Sequence, residues 1–145
     1  MILLDANVLL YAYDETSPHH ERARVWLERT LAAPAPVGLP WATVLAFLRI
    51  STNARALQRP LTLEAAIGIV DSWFEQPCVT LVAPGPQHYR ILCDLLRNAQ
   101  AKGPLVTDAH LAALALEHGA AVATSDRDFS RFSGLRVVNP LLEPA

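Results

Sequence analysis

The chain has 145 residues, of which 52% are hydrophobic and 18% are charged, and its formal net charge is −2 at pH 7. This length and composition predict one domain, residues 1–145, with a core that needs no disulfide or structural metal. The net charge excludes a protein that binds nucleic acid through a generally positive surface. Cys78 and Cys93 have no spacing typical of a zinc site, so we expect a reduced, cytoplasmic protein.

Two features of the sequence argue against secretion and against a membrane span. No basic region precedes an apolar segment at the amino terminus, and Asp5 interrupts the first apolar run. The longest uncharged segment, residues 30–48, is long enough to cross a bilayer, but prolines at positions 34, 36 and 40 divide it. We therefore expect no contact with a membrane.

Short apolar runs alternate along the chain with longer segments of helical periodicity. The predicted strands are residues 2–4, 37–39, 79–82, 121–124 and 135–138. The predicted helices begin after Asp5, at Ser17-Pro18, at residue 42, at Thr62, at residue 87 and at Thr107 or Asp108. Strands that alternate with helices predict a mainly parallel sheet covered by helices on both faces.

Three acids are expected at one edge of this sheet. Asp5 and Asp126 each follow a predicted strand, and Asp108 lies at the start of the helix that leads into strand 121–124. The carboxyl ends of parallel strands meet at one edge, where a crossover helix also begins. Asp128, two residues after Asp126, either joins the other acids or points into solvent.

Carboxylates that converge in one cleft raise each other's pKa unless a cation balances their charge. Mg²⁺ or Mn²⁺ prefers oxygen ligands, retains water, and activates that water for attack on a phosphate ester. The acids therefore predict a divalent-metal site. The alternative for each acid taken alone is that it caps the helix behind it.

Four motifs are spread in order over nearly the whole chain: ILLDAN at residues 2–7, residues 41–53 with Phe47-Leu48-Arg49, TDAHL at residues 107–111, and ATSDRDF at residues 123–129. Together they resemble the PIN-domain ribonucleases, and specifically the VapC-type toxins of bacterial toxin–antitoxin pairs. The resemblance implies an α/β fold, a three-layer α/β/α sandwich around a short parallel sheet. It also implies hydrolysis of RNA with Mg²⁺ or Mn²⁺, and a cognate antitoxin as partner.

The resemblance also assigns site residues. Asp5 and Asp108 match the principal metal ligands, Asp126 matches a third acid, and Asp128 is a further candidate ligand. The candidate substrate-binding residues are Asn7, Arg49 and Thr124. One position departs from the family pattern, because many relatives carry a glutamate just before Phe-Leu-Arg, where this chain has Ala46.

Two alternatives and one further expectation accompany this interpretation. Without the usual glutamate, the chain could be a PIN module that binds RNA or a partner and inhibits without cutting. A phosphoryl-receiving domain is disfavoured because its chemistry needs a lysine near a late strand, and the only lysine is Lys102 in a loop. The apolar surplus predicts a homodimer face and an antitoxin groove, with Trp41, Trp73 or Phe74 as candidates.

Overall fold

The computed structural model describes residues 1–142 as strands and helices that alternate along the chain. The strands are β1 (Ile2–Leu4), β2 (Val37–Pro40), β3 (Val79–Val82), β4 (Ala121–Ala123) and β5 (Val137–Val138). The helices are α1 (Ala6–Tyr13), α2 (His20–Ala32), α3 (Trp41–Ser51), α4 (Leu63–Phe74), α5 (His88–Ala99) and α6 (Leu105–His118). A short 3-10 helix, Arg127–Arg131, follows β4.

The strands form one parallel sheet in the order β3-β2-β1-β4-β5. In the register of the central strand, Leu3 is opposite Gly38 on one side and Val122 on the other. The chain builds outward from β1 to β3 and then crosses to the opposite side of β1. The strand order therefore reverses between β1 and β4, the kind of place where ligands bind in open α/β sheets.

Helices cover both faces of the sheet, because alternate side chains of each buried strand point to opposite sides. Leu3 packs in a core shared with α5 and α6. Leu4, the next residue, packs in a second core shared with α1, α2, α3 and α4. This arrangement confirms the predicted three-layer α/β/α sandwich.

Close packing on the β2 strand requires a glycine. A Cβ atom added to Gly38 would clash with Leu3, and it would lie 2.7 Å from Cγ2 of Val82. Gly38 therefore leaves room for Leu3 of β1 and Val82 of β3 on the face that α5 and α6 cover.

Two helix starts differ from the prediction. Ser17-Pro18 does not begin α2, because the Ser17 hydroxyl accepts a hydrogen bond from the His19 N–H in a turn before the helix. Neither Thr107 nor Asp108 caps α6, because the helix already starts at Leu105, after Pro104. Asp108 consequently lies within the first turn of α6, still at the amino end of that helix.

Smaller differences concern element ends. Strand β4 stops at Ala123 and β5 begins at Val137, so each is shorter than predicted. The cap predicted at Thr62 is present, since its hydroxyl accepts a hydrogen bond from the Ala65 N–H. Within residues 1–142, none of the helices combines the length and apolar character needed to cross a membrane. The last three residues of the expected domain lie outside the described part of the chain.

Candidate active site

The fold brings the three predicted acids into one cleft beside the point where the strand order reverses. Asp5 immediately follows β1, Asp126 follows β4 by three residues, and Asp108 lies in the first turn of α6. All three line a cleft of about 260 Å³. The rule that parallel strands end at a common edge therefore places these side chains together although they are far apart in the sequence.

Asp5 forms the inner end of the site. Its Oδ1 atom accepts a 2.8 Å hydrogen bond from the Ala6 N–H and so caps α1. Its Oδ2 atom accepts a 2.7 Å hydrogen bond from the Thr124 hydroxyl. Both carboxylate oxygens are thus held by the chain itself, which fixes the direction of this side chain.

Thr124 is the centre of a hydrogen-bond network behind the acids. Its side chain is buried, and besides donating to Asp5 it accepts from the Asn7 amide at 3.1 Å and from the Asp126 N–H at 3.0 Å. The Asn7 amide oxygen accepts in turn from the Ser125 N–H at 3.4 Å. The hydroxyl of Thr124 is fully used within the protein, so its geometry suits the positioning of Asp5 and Asp126 better than a direct contact with substrate.

The outer end of the site is a group of carboxylates, of which Asp126 caps the 3-10 helix by accepting a 2.9 Å hydrogen bond from the Asp128 N–H. One carboxylate oxygen from each of Asp108, Asp126 and Asp128 lies within 4.8 Å of the other two. Asp128 is exposed, and Asp108 and Asp126 are half-buried. Within residues 1–142, no lysine, arginine or histidine forms an ion pair with any of them. Their mutual repulsion is therefore uncompensated by the protein.

The environment raises the pKa of two of these acids. Burial and, to a lesser extent, the neighbouring carboxylates of Asp126, Asp5 and Asp128 together raise the pKa of Asp108 to about 6. Burial also raises the pKa of Asp5, although its hydrogen bonds from Thr124 and Ala6 act in the opposite direction. Both effects penalise negative charge in the metal-free site, and a bound cation would relieve them.

The donor set fits a hard divalent cation. Carboxylate oxygens are the ligands that Mg²⁺ and Mn²⁺ prefer, and the open mouth of the site leaves room for the water molecules that Mg²⁺ usually retains. Asp108, Asp126 and Asp128 would hold such an ion, with Asp5 adjacent on the inner side. The structure thus gives Asp128 a closer association with the outer acids than the sequence alone indicated.

The remaining lining of the cleft comes from three helices. It consists of Ala6, Asn7 and Leu10 of α1, Ala42, Thr43, Ala46 and Ile50 of α3, and Thr107 and Leu111 of α6. The Thr43 hydroxyl donates a 2.7 Å hydrogen bond to the Leu4 carbonyl, which fixes the start of α3 beside the end of β1. Ala46 thus stands beside the acids, so a glutamate at that place would add a fourth carboxylate to the cleft.

Sequence reasoning missed most of the α3 wall. Ala42, Ala46 and Ile50 recur every four residues, a spacing that puts them on one helix face, and this periodicity could have revealed the wall. Arg49 lies on the exposed surface of α3, and the described cleft lining does not include it. Of the aromatic candidates, Trp73 is buried, whereas Trp41 and Phe74 are exposed.

Comparisons with known proteins agree with this architecture. The sequence model of the PIN domain family matches residues 2–135. Ribonuclease VapC37 of Mycobacterium tuberculosis is 44% identical over 97% of this chain and 97% of its own length. Ribonuclease VapC33 of the same species is 41% identical over 99% of this chain and all of its own length.

Solved structures match the fold at low sequence identity. The chain resembles a chain of the VapBC2 complex of Rickettsia felis, bound to a promoter DNA fragment, with a TM-score of 0.71 and 15% identity over 96% of this chain and 98% of that chain. The family match and the close relatives extend over nearly the whole sequence, including all four acids. The chain therefore belongs to the PIN-domain family and, within it, to the VapC group.

Proposed function

We propose that this protein is an endoribonuclease that requires Mg²⁺ or Mn²⁺ and acts as the toxin of a toxin–antitoxin pair in the cytoplasm. The observation that carries the proposal is the convergence of Asp108, Asp126 and Asp128 without a balancing basic side chain in the described part of the chain. The ribonuclease names of its close VapC relatives give the substrate class.

The acids have two different tasks in this proposal. Asp108, Asp126 and Asp128 hold the cation at the open mouth, and Asp5 supports them from the inner side. When bound, the cation supplies positive charge to the scissile phosphate and makes an attacking water more acidic. Thr124 and Asn7 hold Asp5 and the Asp126 backbone in place.

Arg49 is our candidate for a contact with the RNA backbone. It follows Ala46 by three residues, so the two lie about one turn apart on neighbouring faces of α3. Its guanidinium is exposed and suits phosphate oxygens, which it can bind through two parallel hydrogen bonds.

The test is RNA cleavage by the purified protein, freed of antitoxin, in Mg²⁺, in Mn²⁺ and in EDTA. An Asp108→Asn protein purified in parallel controls for contaminating nuclease. We expect cleavage by the wild type in either metal, none in EDTA, and none by the variant. Cleavage in EDTA by the wild type alone would refute the metal requirement.

A second variant, Asp5→Ala, separates catalysis from binding without cleavage. If the protein cuts no RNA, and Asp5→Ala still arrests growth when expressed, the non-catalytic binding function is correct instead. The reason to test this second function is that Ala46 occupies the place of the usual glutamate in the cleft.

We also propose an antitoxin partner and a homodimer. The antitoxin is proposed because solved structures with a similar fold include complexes of VapB with VapC. The homodimer is proposed because helices α3 and α4 contact each other and carry exposed hydrophobic side chains, those of Trp41, Leu45, Leu63 and Phe74. Light scattering tests the dimer, and a clean monomer at micromolar concentration would refute it. Co-purification with the product of a small adjacent gene tests the antitoxin.

A further inference from the structure

The two walls of the cleft differ in chemistry. The α3 wall consists of Ala42, Ala46 and Ile50, which offer only apolar atoms to the cleft. The α6 wall carries Thr107, Asp108 and Leu111. Asp128 is exposed and belongs to the carboxylate group but not to the cleft lining, so that group extends from the cleft to the outer surface, which is its mouth. We call the space between the α3 wall and Leu111 the inner cleft.

The inner cleft is unsuited to a phosphate group. The α3 wall provides no free hydrogen-bond donor, because the one hydroxyl on it, that of Thr43, already donates to the Leu4 carbonyl. The charged side chains that line the cleft, those of Asp5, Asp108 and Asp126, have the same sign as a phosphate. Moving a phosphate from water into this space would cost its hydration without compensation. The phosphate therefore belongs at the mouth, and a group without charge belongs inside.

We propose that the inner cleft is a nucleobase subsite, which receives the base of one nucleotide next to the scissile phosphate. This inference rests on the proposed ribonuclease function. The whole cleft, including the part beside the acids, has a volume of about 260 Å³, so the inner cleft has room for no more than a single ring system; pockets for larger drug-sized ligands hold about 300–1,000 Å³. The aliphatic side chains of α3 and Leu111 contact the faces of the base, as apolar side chains do in other sites that bind an unstacked base.

The subsite selects single-stranded RNA. A base in a loop or an end is already free to leave its neighbours, whereas a paired base must first be unstacked at a cost of a few kcal/mol. Thr107 is exposed at the edge of the cleft, where its hydroxyl can donate to or accept from the base edge. Ala46 is the residue that keeps the subsite open, because its methyl group leaves the space that a longer side chain would fill.

An abasic scan with the wild-type protein tests the subsite directly. A single-stranded RNA pool first identifies a cleaved oligonucleotide. Versions of this oligonucleotide then carry one abasic nucleotide at each position around the cleaved bond. We expect one adjacent position at which loss of the base lowers the cleavage rate by about 10-fold or more, as loss of one base contact does in single-strand binding.

The variant Ala46→Leu tests the location. It should cleave the intact RNA slowly and no longer distinguish the intact from the abasic oligonucleotide, while Mn²⁺ still raises its melting temperature as in the wild type. Ala65→Leu, the same change at an exposed position of α4, is the matched control and should behave as wild type.

The outcomes separate this proposal from the function on which it rests. Equal cleavage of every abasic oligonucleotide by the wild type would overturn the subsite and leave the ribonuclease function standing. Loss of the Mn²⁺ effect in a folded Ala46→Leu protein would also overturn it, because the change would then act on the cation. If the wild type cuts no RNA in either metal, both proposals fall. The abasic scan uses the wild-type protein, so it tests the nucleobase subsite even if Ala46→Leu does not fold.

Discussion

The inner and outer ends of the acidic site are held in different ways. Both oxygens of Asp5 accept hydrogen bonds from the chain, one from Ala6 and one from Thr124. Asp108 and Asp128, at the outer end, face other carboxylates with no basic partner in the described residues. The chain therefore orients Asp5 through both oxygens and Asp126 through one, which accepts from the Asp128 N–H, and leaves Asp108 and Asp128 to be organised by a cation. Substitutions at the two ends should differ accordingly in their effects on stability and metal binding.

The largest effect is expected at the outer end, from Asp108→Asn. Asparagine is similar in size but carries no charge for a cation, so we expect cleavage to fall by more than about 100-fold. The metal-free melting temperature should stay the same or rise, because the change removes a repelled charge. Mn²⁺ should no longer raise it. Single-turnover cleavage and thermal unfolding measure these effects.

Asp71→Asn, at an exposed acid of α4, is the control and should change neither property. Combining Asp108→Asn with Asp126→Asn should cost little more activity than the worse single change, because residues that act as a unit are not additive. Wild-type cleavage by Asp108→Asn at low millimolar Mg²⁺ would contradict its role as a ligand.

At the inner end, Thr124→Val should reduce both stability and activity. The change removes the donor to Asp5 and the acceptor for the Asp126 N–H, so we expect a loss of about 1–3 kcal/mol in the free energy of unfolding. Cleavage should fall by about 10–100-fold, as when a residue that orients a metal ligand is lost. Urea unfolding and cleavage assays measure the two effects.

Thr124→Ser keeps the hydroxyl and should restore most of both properties. A Thr124→Val protein that is destabilised but cleaves RNA normally would show that the network serves the fold and not the acids.

The outer end should also respond to pH. The pKa of Asp108 is raised from 3.8 to about 6, so the native state takes up a proton below pH 6 that the unfolded chain does not bind until lower pH. The stability of the metal-free protein should therefore fall as pH rises from about 4 to above 6. Protons compete with the cation below pH 6, so the Mn²⁺-induced rise in melting temperature should shrink there.

Thermal unfolding between pH 5 and pH 7.5, with EDTA or with Mn²⁺, measures both trends. Asp108→Asn should flatten the metal-free profile. A profile unchanged by Asp108→Asn would assign the pH response to another group.

The smallest effect is expected from Asp128→Asn. This side chain is exposed and lies at the edge of the carboxylate group, so we expect Mn²⁺ affinity to weaken by less than about tenfold. Stability should hardly change, and isothermal titration with Mn²⁺ measures the loss. An effect as large as that of Asp108→Asn would place Asp128 among the principal ligands.

Local rules of the sequence were enough to predict the location of the acids. The apolar run before Asp5 and the crossover helix that carries Asp108 place both at one edge of a parallel sheet. The start of α6 differs from the prediction because polar residues that are typical helix caps, Thr107 and Asp108, lie inside the first turn, and the helix begins at Leu105 after Pro104. The contact of Thr124 with Asp5 joins residues 119 positions apart, and only tertiary packing determines it.

The hydrogen bonds between Asp5, Asn7 and Thr124 also have a consequence for protein synthesis. On the ribosome, Asp5 is made 119 residues before its hydrogen-bond partner Thr124, which directly follows β4. Domains fold as their segments emerge, so a partly made chain has an incomplete site. We expect a nascent chain arrested before β4 to be unable to cut RNA. Because the site residues around β4 are made late, the unfinished protein would not cut the mRNA or the ribosome that is making it.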